Sequence, residues 1–213
     1  MEINLAGRTL QLLPEKAILL PGAGILLIAD LHAGKAAHFR RKGLPLPVRA
    51  VERDLERLEL LVEKHRPQEV VFLGDLFHSR KNAEWDLLEE FFKLFPQTAF
   101  ALVPGNHDRF TVPFCARIGL ELLPPQVEKG GFLLTHEPVE MPTNGLYNLC
   151  GHLHPGVLLG GKARMSVMLP CFRFGEKYGV LPAFGNLTGL APVPVRSGDR
   201  VVVVVEGKCV DVS

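Results

Sequence analysis

The sequence lacks the marks of several protein classes. No two of its four cysteines, Cys115, Cys150, Cys171 and Cys209, form a CxxC pair, and their separations match no zinc ribbon or finger. We read them as free thiols of a reduced, cytoplasmic protein, two or three of them plain core residues. The opening MEINLAGRTLQLLPEKA lacks the basic-then-apolar order of a signal peptide. No apolar run approaches the ~20 residues needed to span a bilayer, and the tract Val201 to Val205 is only strand length. No membrane association is expected. Charge of one sign is also missing: 24 Lys and Arg face 23 Asp and Glu, a formal net charge of +1. Nucleic-acid binding driven by overall charge is therefore not indicated. Low-complexity tracts and internal repeats are absent. Aromatics make up only 8% of the chain, and no basic surface interleaved with them is evident.

What is present suits a folded core. The chain has 213 residues, 47% of them hydrophobic, and a domain of this size buries roughly 70% of the surface its unfolded chain exposes. We expect one domain over residues 1–213. The 21 glycines and 17 prolines imply many tight turns.

Short apolar runs alternate with helical periodicity in the first half. Ile25 to Ala29 reads as a buried strand. Val48 to His65 reads as a helix, with Val51, Leu55, Leu58 and Val62 on one face and Pro67 ending it. Val70 to Leu73 is a second strand. Ala83 to Phe95 is a second helix, with Trp85, Leu88, Phe91, Phe92 and Phe95 as its apolar side, and Thr98 to Val103 is a third strand. Strand, helix, strand, helix, strand indicates layered α/β architecture with parallel pairs. Later pieces (131–135, 157–159, 178–182 and 200–206) are short strands separated by turns, which suggests a second, more antiparallel sheet. The first 20 residues are expected to form a hairpin at the edge of that second sheet.

Each strand of the first half stops in polar residues, and in open α/β sheets the carboxyl ends of the strands gather the functional loops. The candidates are Asp30, His32, Asp75, Asn106, His107, Asp108, His136, His152 and His154, in the segments ADLH, LGDLF, PGNHD, LLTHE and CGHLHP. His152 and His154 are one residue apart, so in an extended segment both rings face one side. Carboxylate oxygen, imidazole nitrogen and an amide oxygen suit Mn²⁺, Zn²⁺ or Fe²⁺ better than Ca²⁺. So many ligands exceed the needs of one catalytic ion. Two ions sharing a carboxylate, ~3.5–4 Å apart, use them all.

Asp30-Leu31-His32, Gly74-Asp75, Gly105-Asn106-His107-Asp108, His136 and Gly151-His152-Leu153-His154 come in that order. They resemble the five signature blocks of the calcineurin-like metallophosphoesterase superfamily. The resemblance implies a four-layer α/β/β/α fold, a β-sandwich of two mixed sheets with flanking helices, in place of the simpler layered reading. It implies that Asp30, His32 and His154 bind one metal, that Asp75 bridges, and that Asn106, His136 and His152 bind the other. His107 then matches the unliganded catalytic histidine near the leaving group, and Asp108 the partner that fixes its tautomer. The runs DLHAGKAAHFRRKGLPLP (30–47), GDLFHS (74–79) and LPAFGNLTG (181–189) further resemble bacterial ligase-associated DNA damage response endonucleases. Ala33 departs slightly, since a larger apolar residue is expected there, and no ligand position is touched. This closer resemblance implies a Mn²⁺-dependent DNA endonuclease or phosphodiesterase of DNA repair, functionally linked to a DNA ligase or helicase.

The chemistry expected of such a site is hydrolysis. Two ions acidify a water, so that a hydroxide held between them attacks phosphorus, and they neutralise charge on the phosphoryl oxygens. His107 protonates the leaving oxygen. Lys35, His38, Arg40, Arg41 and Lys42 form a local basic patch after the first motif. Arg40 and Arg41 are the best phosphate contacts among them, with His78 and Arg109 as further substrate contacts. The alternatives are a small-molecule or cyclic-nucleotide phosphodiesterase, a phosphomonoesterase, and a non-catalytic scaffold that has kept the fold. Intact ligand positions argue against the scaffold.

Overall fold

The computed structural model describes residues 1–35, 43, 50–78, 83–108, 112–140, 142, 145–160, 166–193 and 195–213. Elements are numbered in chain order. A seven-stranded sheet holds β1 (Glu2–Leu5), β2 (Arg8–Leu13), β3 (Ala17–Leu20), β4 (Ile25–Ile28), β5 (Glu69–Leu73), β6 (Ala99–Val103) and β7 (Leu120–Leu122), in that spatial order. β1 to β4 pair antiparallel, whereas β4 to β7 pair parallel. Helix α1 (Ala50–His65) lies between β4 and β5, α2 (Ala83–Leu94) between β5 and β6, and the short α3 (Val112–Cys115) between β6 and β7. These are the helical crossovers that parallel neighbours require.

The second sheet has nine strands. Its main path is β14 (Ala191–Pro192), β11 (Pro155–Gly160), β12 (Ser166–Phe174), β13 (Tyr178–Val180), β10 (Asn148–Cys150), β9 (Phe132–Thr135) and β8 (Gln126–Lys129). β15 (Arg200–Val205) pairs with β12 and with β16 (Lys208–Asp211). β9, β10 and β13 run parallel, so their carboxyl ends emerge together.

The side-chain period of two explains why β4, β5 and β6 read as unbroken apolar runs. Leu26, Ile28, Val70, Phe72, Phe100 and Leu102 face the helices, where they meet Leu55, Leu58, Leu61, Trp85, Leu88 and Phe92. The intervening Leu27, Ala29, Val71, Leu73, Ala101 and Val103 face the second sheet and pack on Phe132, Leu134, Leu149, Phe172 and Leu181. Apolar side chains on both faces make β4 to β6 the buried centre of a sandwich, and the expected mixed α/β sandwich with flanking helices is what the chain forms. The first 20 residues differ from expectation. Their strands join the first sheet beside β4, because Leu10, Leu12 and Ile18 belong to the apolar layer between the sheets.

One polar lock ties α1 to the distant FGN segment. Asp54 is buried, and its carboxylate accepts from Arg57 at 3.0 Å and from the Asn186 N–H at 3.0 Å. Arg57 also donates to the Phe184 carbonyl and to Asn186 Oδ1, and its guanidinium lies 4.0 Å from the centre of the Phe184 ring. Burial raises the Asp54 carboxyl, while Arg57 and the Asn186 N–H pull it back. Removing the guanidinium leaves a buried carboxylate short of its partner. Arg57→Ala should cost about 3 kcal/mol in urea denaturation at neutral pH. A carboxyl raised in the folded state binds a proton more readily there than in the unfolded chain, so acidification favours the fold through this group. Loss of Arg57 raises it further, and the deficit should shrink as the pH falls toward about 4.

Candidate metal centre

The carboxyl ends of both sheets meet at one seam. Past β4 and β5 the two segments stay hydrogen-bonded side by side: Asp30 N–H donates to the Gly74 carbonyl, His32 N–H to the Asp75 carbonyl and Ala33 N–H to the Leu76 carbonyl. The end of β10 is tied to β9 through Gly151 N–H and the His136 carbonyl, and the 184–185 segment to β4 through the carbonyls of Ala29 and Asp30. Backbone ladders thus carry Asp30, His32, Asp75, His136, His152 and His154 to one place.

Five of these residues take a backbone conformation that side chains rarely adopt: Asp30, His32, Asp75, His152 and His154 have φ between 46° and 68°. A left-handed residue other than glycine costs about 1–2 kcal/mol. Such strain persists only where the surroundings over-determine it, and here neighbouring glycines let the backbones close in. A Cβ on Gly74 would stand 2.2 Å from His136 Nδ1, and one on Gly105 would stand 2.4 Å from Asp75 Oδ1. The glycines of the GD and GNHD blocks leave room for the side chains of other blocks.

Two groups of ligand atoms form, each within 4.8 Å: Asp30, His32 and His154, and Asp30, Asp75 and His136. Asp30 is 1% exposed and Asp75 4%. Asp30 Oδ2 accepts the His152 N–H at 2.9 Å, while Oδ1 has no hydrogen-bond partner among the described residues. His32 Nε2 and His154 Nε2 are likewise buried without partners there. His154 Nε2 lies 3.3 Å from Asp30 Oδ1. Asp75 faces both groups, with Oδ2 3.8 Å from His32 Nε2 and Oδ1 3.6 Å from His136 Nε2. Buried acceptors left orphaned beside buried carboxylates are what a cation would satisfy.

The imidazoles are prepared as ligands. His136 Nδ1 lies 2.9 Å from the Leu73 carbonyl, which can only accept. Nδ1 therefore donates to it, which leaves Nε2 as the nitrogen that faces the centre. That Nε2 is 3.1 Å from His152 Nδ1. Two nitrogens bound to one ion at ~2.0–2.1 Å stand roughly 3.3 Å apart in tetrahedral geometry, so the pair fits a shared ion. Burial, helped by Lys35 and the neighbouring histidines, pushes His32 down to about 2, and the ring stays neutral, as ligation requires. The residues fit two divalent ions.

His107 stands at the rim. Its backbone N–H donates to Asp75 Oδ1 at 2.9 Å, and its exposed ring stacks on His78 with centroids 5.0 Å apart. Both rings meet His32 edge-on at 5.4 Å. Asp108 is buried, and its two oxygens accept from the N–H groups of Phe77 and Gly105. It thereby pins the GNHD turn to the loop after Asp75. Asn106 is exposed beside the second group, and its amide donates to Glu137 Oε1 at 2.9 Å. Arg40, Arg41 and Arg109, with His38 and Lys42, lie outside the described residues. Sequence reasoning missed Glu137, Asp54 and Arg57. The THE triplet placed Glu137 beside a ligand and was the available signal; no motif marked the other two.

The comparisons come from three directions. Residues 23–152 match the calcineurin-like phosphoesterase family. Among solved structures, nuclease MPE of Pseudomonas putida is similar to this chain at 30% identity, over 100% of this chain and 99% of that one, with a TM-score of 0.84. YfcE, a phosphoesterase from E. coli, is 17% identical over 85% of this chain and 88% of its own, with a TM-score of 0.43. No curated protein matches.

Close packing around the ligands gives a first test. Gly74→Ala should displace the His136 ring from Leu73 while leaving the far-ultraviolet circular dichroism spectrum unchanged. A misplacement of ~1 Å at such a site costs ~10²-fold in rate. Reduced metal content by mass spectrometry and a similar loss of phosphoesterase activity are expected. Full occupancy with normal turnover would show that the close approach is immaterial.

Proposed function

Because the chain belongs to the calcineurin-like phosphoesterase family, we propose that it is a two-metal phosphodiesterase that cleaves DNA. The observation that carries the metal part is the pair of ligand groups sharing Asp30, with Asp30 Oδ1, His32 Nε2 and His154 Nε2 orphaned among the described residues. The diester and DNA part is supported by full-length similarity to a protein described as a nuclease. The assignment to ligase-associated DNA damage response endonucleases, with a ligase or helicase as functional partner, rests on the runs 30–47, 74–79 and 181–189. No described helix is long and apolar enough to cross a membrane, and the four free cysteines suit a reducing cytoplasm.

In this reading Asp30, His32 and His154 hold one ion, and Asn106, His136 and His152 the other. Asp75 would bridge, because it offers Oδ2 toward His32 and Oδ1 toward His136. Mn²⁺ is the proposed metal, with Zn²⁺ and Fe²⁺ fitting the same donors. When bound, the ions supply Lewis-acid charge neutralisation and a water acidic enough to be deprotonated near neutral pH. His107 reaches the rim unburied and donates a proton to the leaving oxygen, a contribution of ~10²–10⁴-fold. Asp108, which the resemblance makes the partner that fixes the His107 tautomer, also fixes the turn that carries His107 by accepting from the Phe77 and Gly105 N–H groups. His78 braces the His107 ring and meets the substrate, and Arg40, Arg41 and Arg109 bind phosphate.

Substrate class is tested with bis-p-nitrophenyl phosphate, p-nitrophenyl phosphate, cyclic nucleotides, and single- and double-stranded DNA, all with metal-loaded protein. Diester hydrolysis should exceed monoester hydrolysis, and DNA should be cut. Faster monoester turnover rejects the diester assignment, and preference for a cyclic nucleotide points to a small-molecule enzyme. The roles of the residues separate in two variants. Asp75→Asn should lose bound metal and nearly all turnover. His107→Asn should keep both ions while turnover falls ~10²–10⁴-fold. An active Asp75→Asn with full metal occupancy removes the bridge.

A further inference from the structure

Asn106 is the one neutral amide in the proposed ligand set, and an amide has two faces. Its oxygen can accept a cation, and its nitrogen cannot. Something must keep the correct face inward. Asn106 Nδ2 donates to Glu137 Oε1 at 2.9 Å. A carboxylate only accepts, so the flipped amide would set oxygen against oxygen. This single contact therefore decides the orientation and leaves Oδ1 turned away from Glu137. Asn106, His136 and Glu137 line one cavity of about 300 Å³.

Glu137 is itself held from behind. Thr135, 2% exposed, donates through Oγ1 to the Glu137 carbonyl at 2.6 Å. Asn148, 0% exposed, donates through Nδ2 to Thr135 Oγ1 and to the Leu133 carbonyl, and accepts the Val139 N–H on Oδ1. A fully buried amide thus braces the turn 135–139 from below. The turn presents His136 to the centre on one side of the chain and Glu137 to Asn106 on the next residue.

We propose that Glu137 is a positioning residue that fixes the Asn106 amide with its oxygen free for the second metal. The inference rests on the two-metal reading above. Partners one shell beyond the ligands commonly govern metal affinity by 10–100-fold. This one is exposed, which places it near the low end.

The test is Mn²⁺ titration by isothermal calorimetry, with metal content by mass spectrometry and thermal melting of each protein as the check on folding. The wild type should bind two ions. Glu137→Ala should bind the first ion normally and the second about tenfold more weakly. Glu137→Gln can pair with either face of the amide, so it should fall between the wild type and Glu137→Ala. A complementary pair guards against a folding defect in the alanine variant. Asn106→Asp faces one carboxylate with another and should weaken the second ion. Asn106→Asp combined with Glu137→Gln restores a donor–acceptor pair and should recover it. A wild type that takes up fewer than two ions overturns the two-metal reading, and this inference with it. A wild type with two ions, together with an unchanged second affinity in Glu137→Ala or no recovery in the double variant, overturns the role of Glu137 alone.

Discussion

Two carboxylates buried side by side are the constraint around which the rest is arranged. Asp30 and Asp75 are almost inaccessible, with ligand atoms within 4.8 Å. At an effective dielectric constant of ~20, unit charges at that separation repel by roughly 3 kcal/mol. The backbone N–H groups of His152 and His107 stabilise one oxygen on each, which offsets part of the cost of burial. Neither supplies a positive charge. His32 does not supply one either, since burial holds it neutral. Buried carboxylates with unpartnered imidazole nitrogens beside them make a pocket suited to cations.

The sandwich explains how such a pocket is assembled. Asp30, His32 and Asp75 come from the first sheet, whereas His136, His152 and His154 come from the second. Each ligand group contains residues of both sheets. An ion in either position would therefore staple the sheets at the seam where their strands end. Apolar burial on both faces of β4 and β5 supports the strand ends that carry Asp30, His32 and Asp75, and buried Leu149 and Cys150 of β10 support the one that carries His152 and His154, all five in left-handed backbone. Strain at the site is borne by packing below it.

Much of this was legible in the sequence, for a physical reason. A polar residue that ends an apolar strand is conspicuous, so Asp30, Asp75, His107 and His136 were found from pattern alone, and the helices and strands of the first half fall within a residue or two of where periodicity puts them. The placement of the first 20 residues was not legible. Alternating apolar residues such as Leu10 and Leu12 say that a strand buries one face, without saying which sheet supplies the partner. Nor was the Asp54–Arg57 lock, because an Asp and an Arg three apart on an amphipathic helix look like solvent-facing charges until Phe184 and Asn186 arrive from 127 or more positions away. Glu137 stayed hidden for a similar reason: its meaning lies in Asn106, 31 residues earlier.

Charge balance joins the ligand set to the substrate. Two divalent ions against two carboxylates would leave a centre with surplus positive charge, since the other members of the proposed set, Asn106 included, bind as neutral groups. That surplus is what an anionic ester and an anionic nucleophile need. An aspartate in place of Asn106 would face Glu137 with a second carboxylate and remove part of the surplus. An asparagine carries no charge but can flip, so the choice of a neutral ligand calls for a device that fixes its orientation. The Glu137 carboxylate provides it from an exposed position, where solvent screens its own charge from the centre. Metal affinity is thereby kept by orientation, and the positive charge stays available for phosphate.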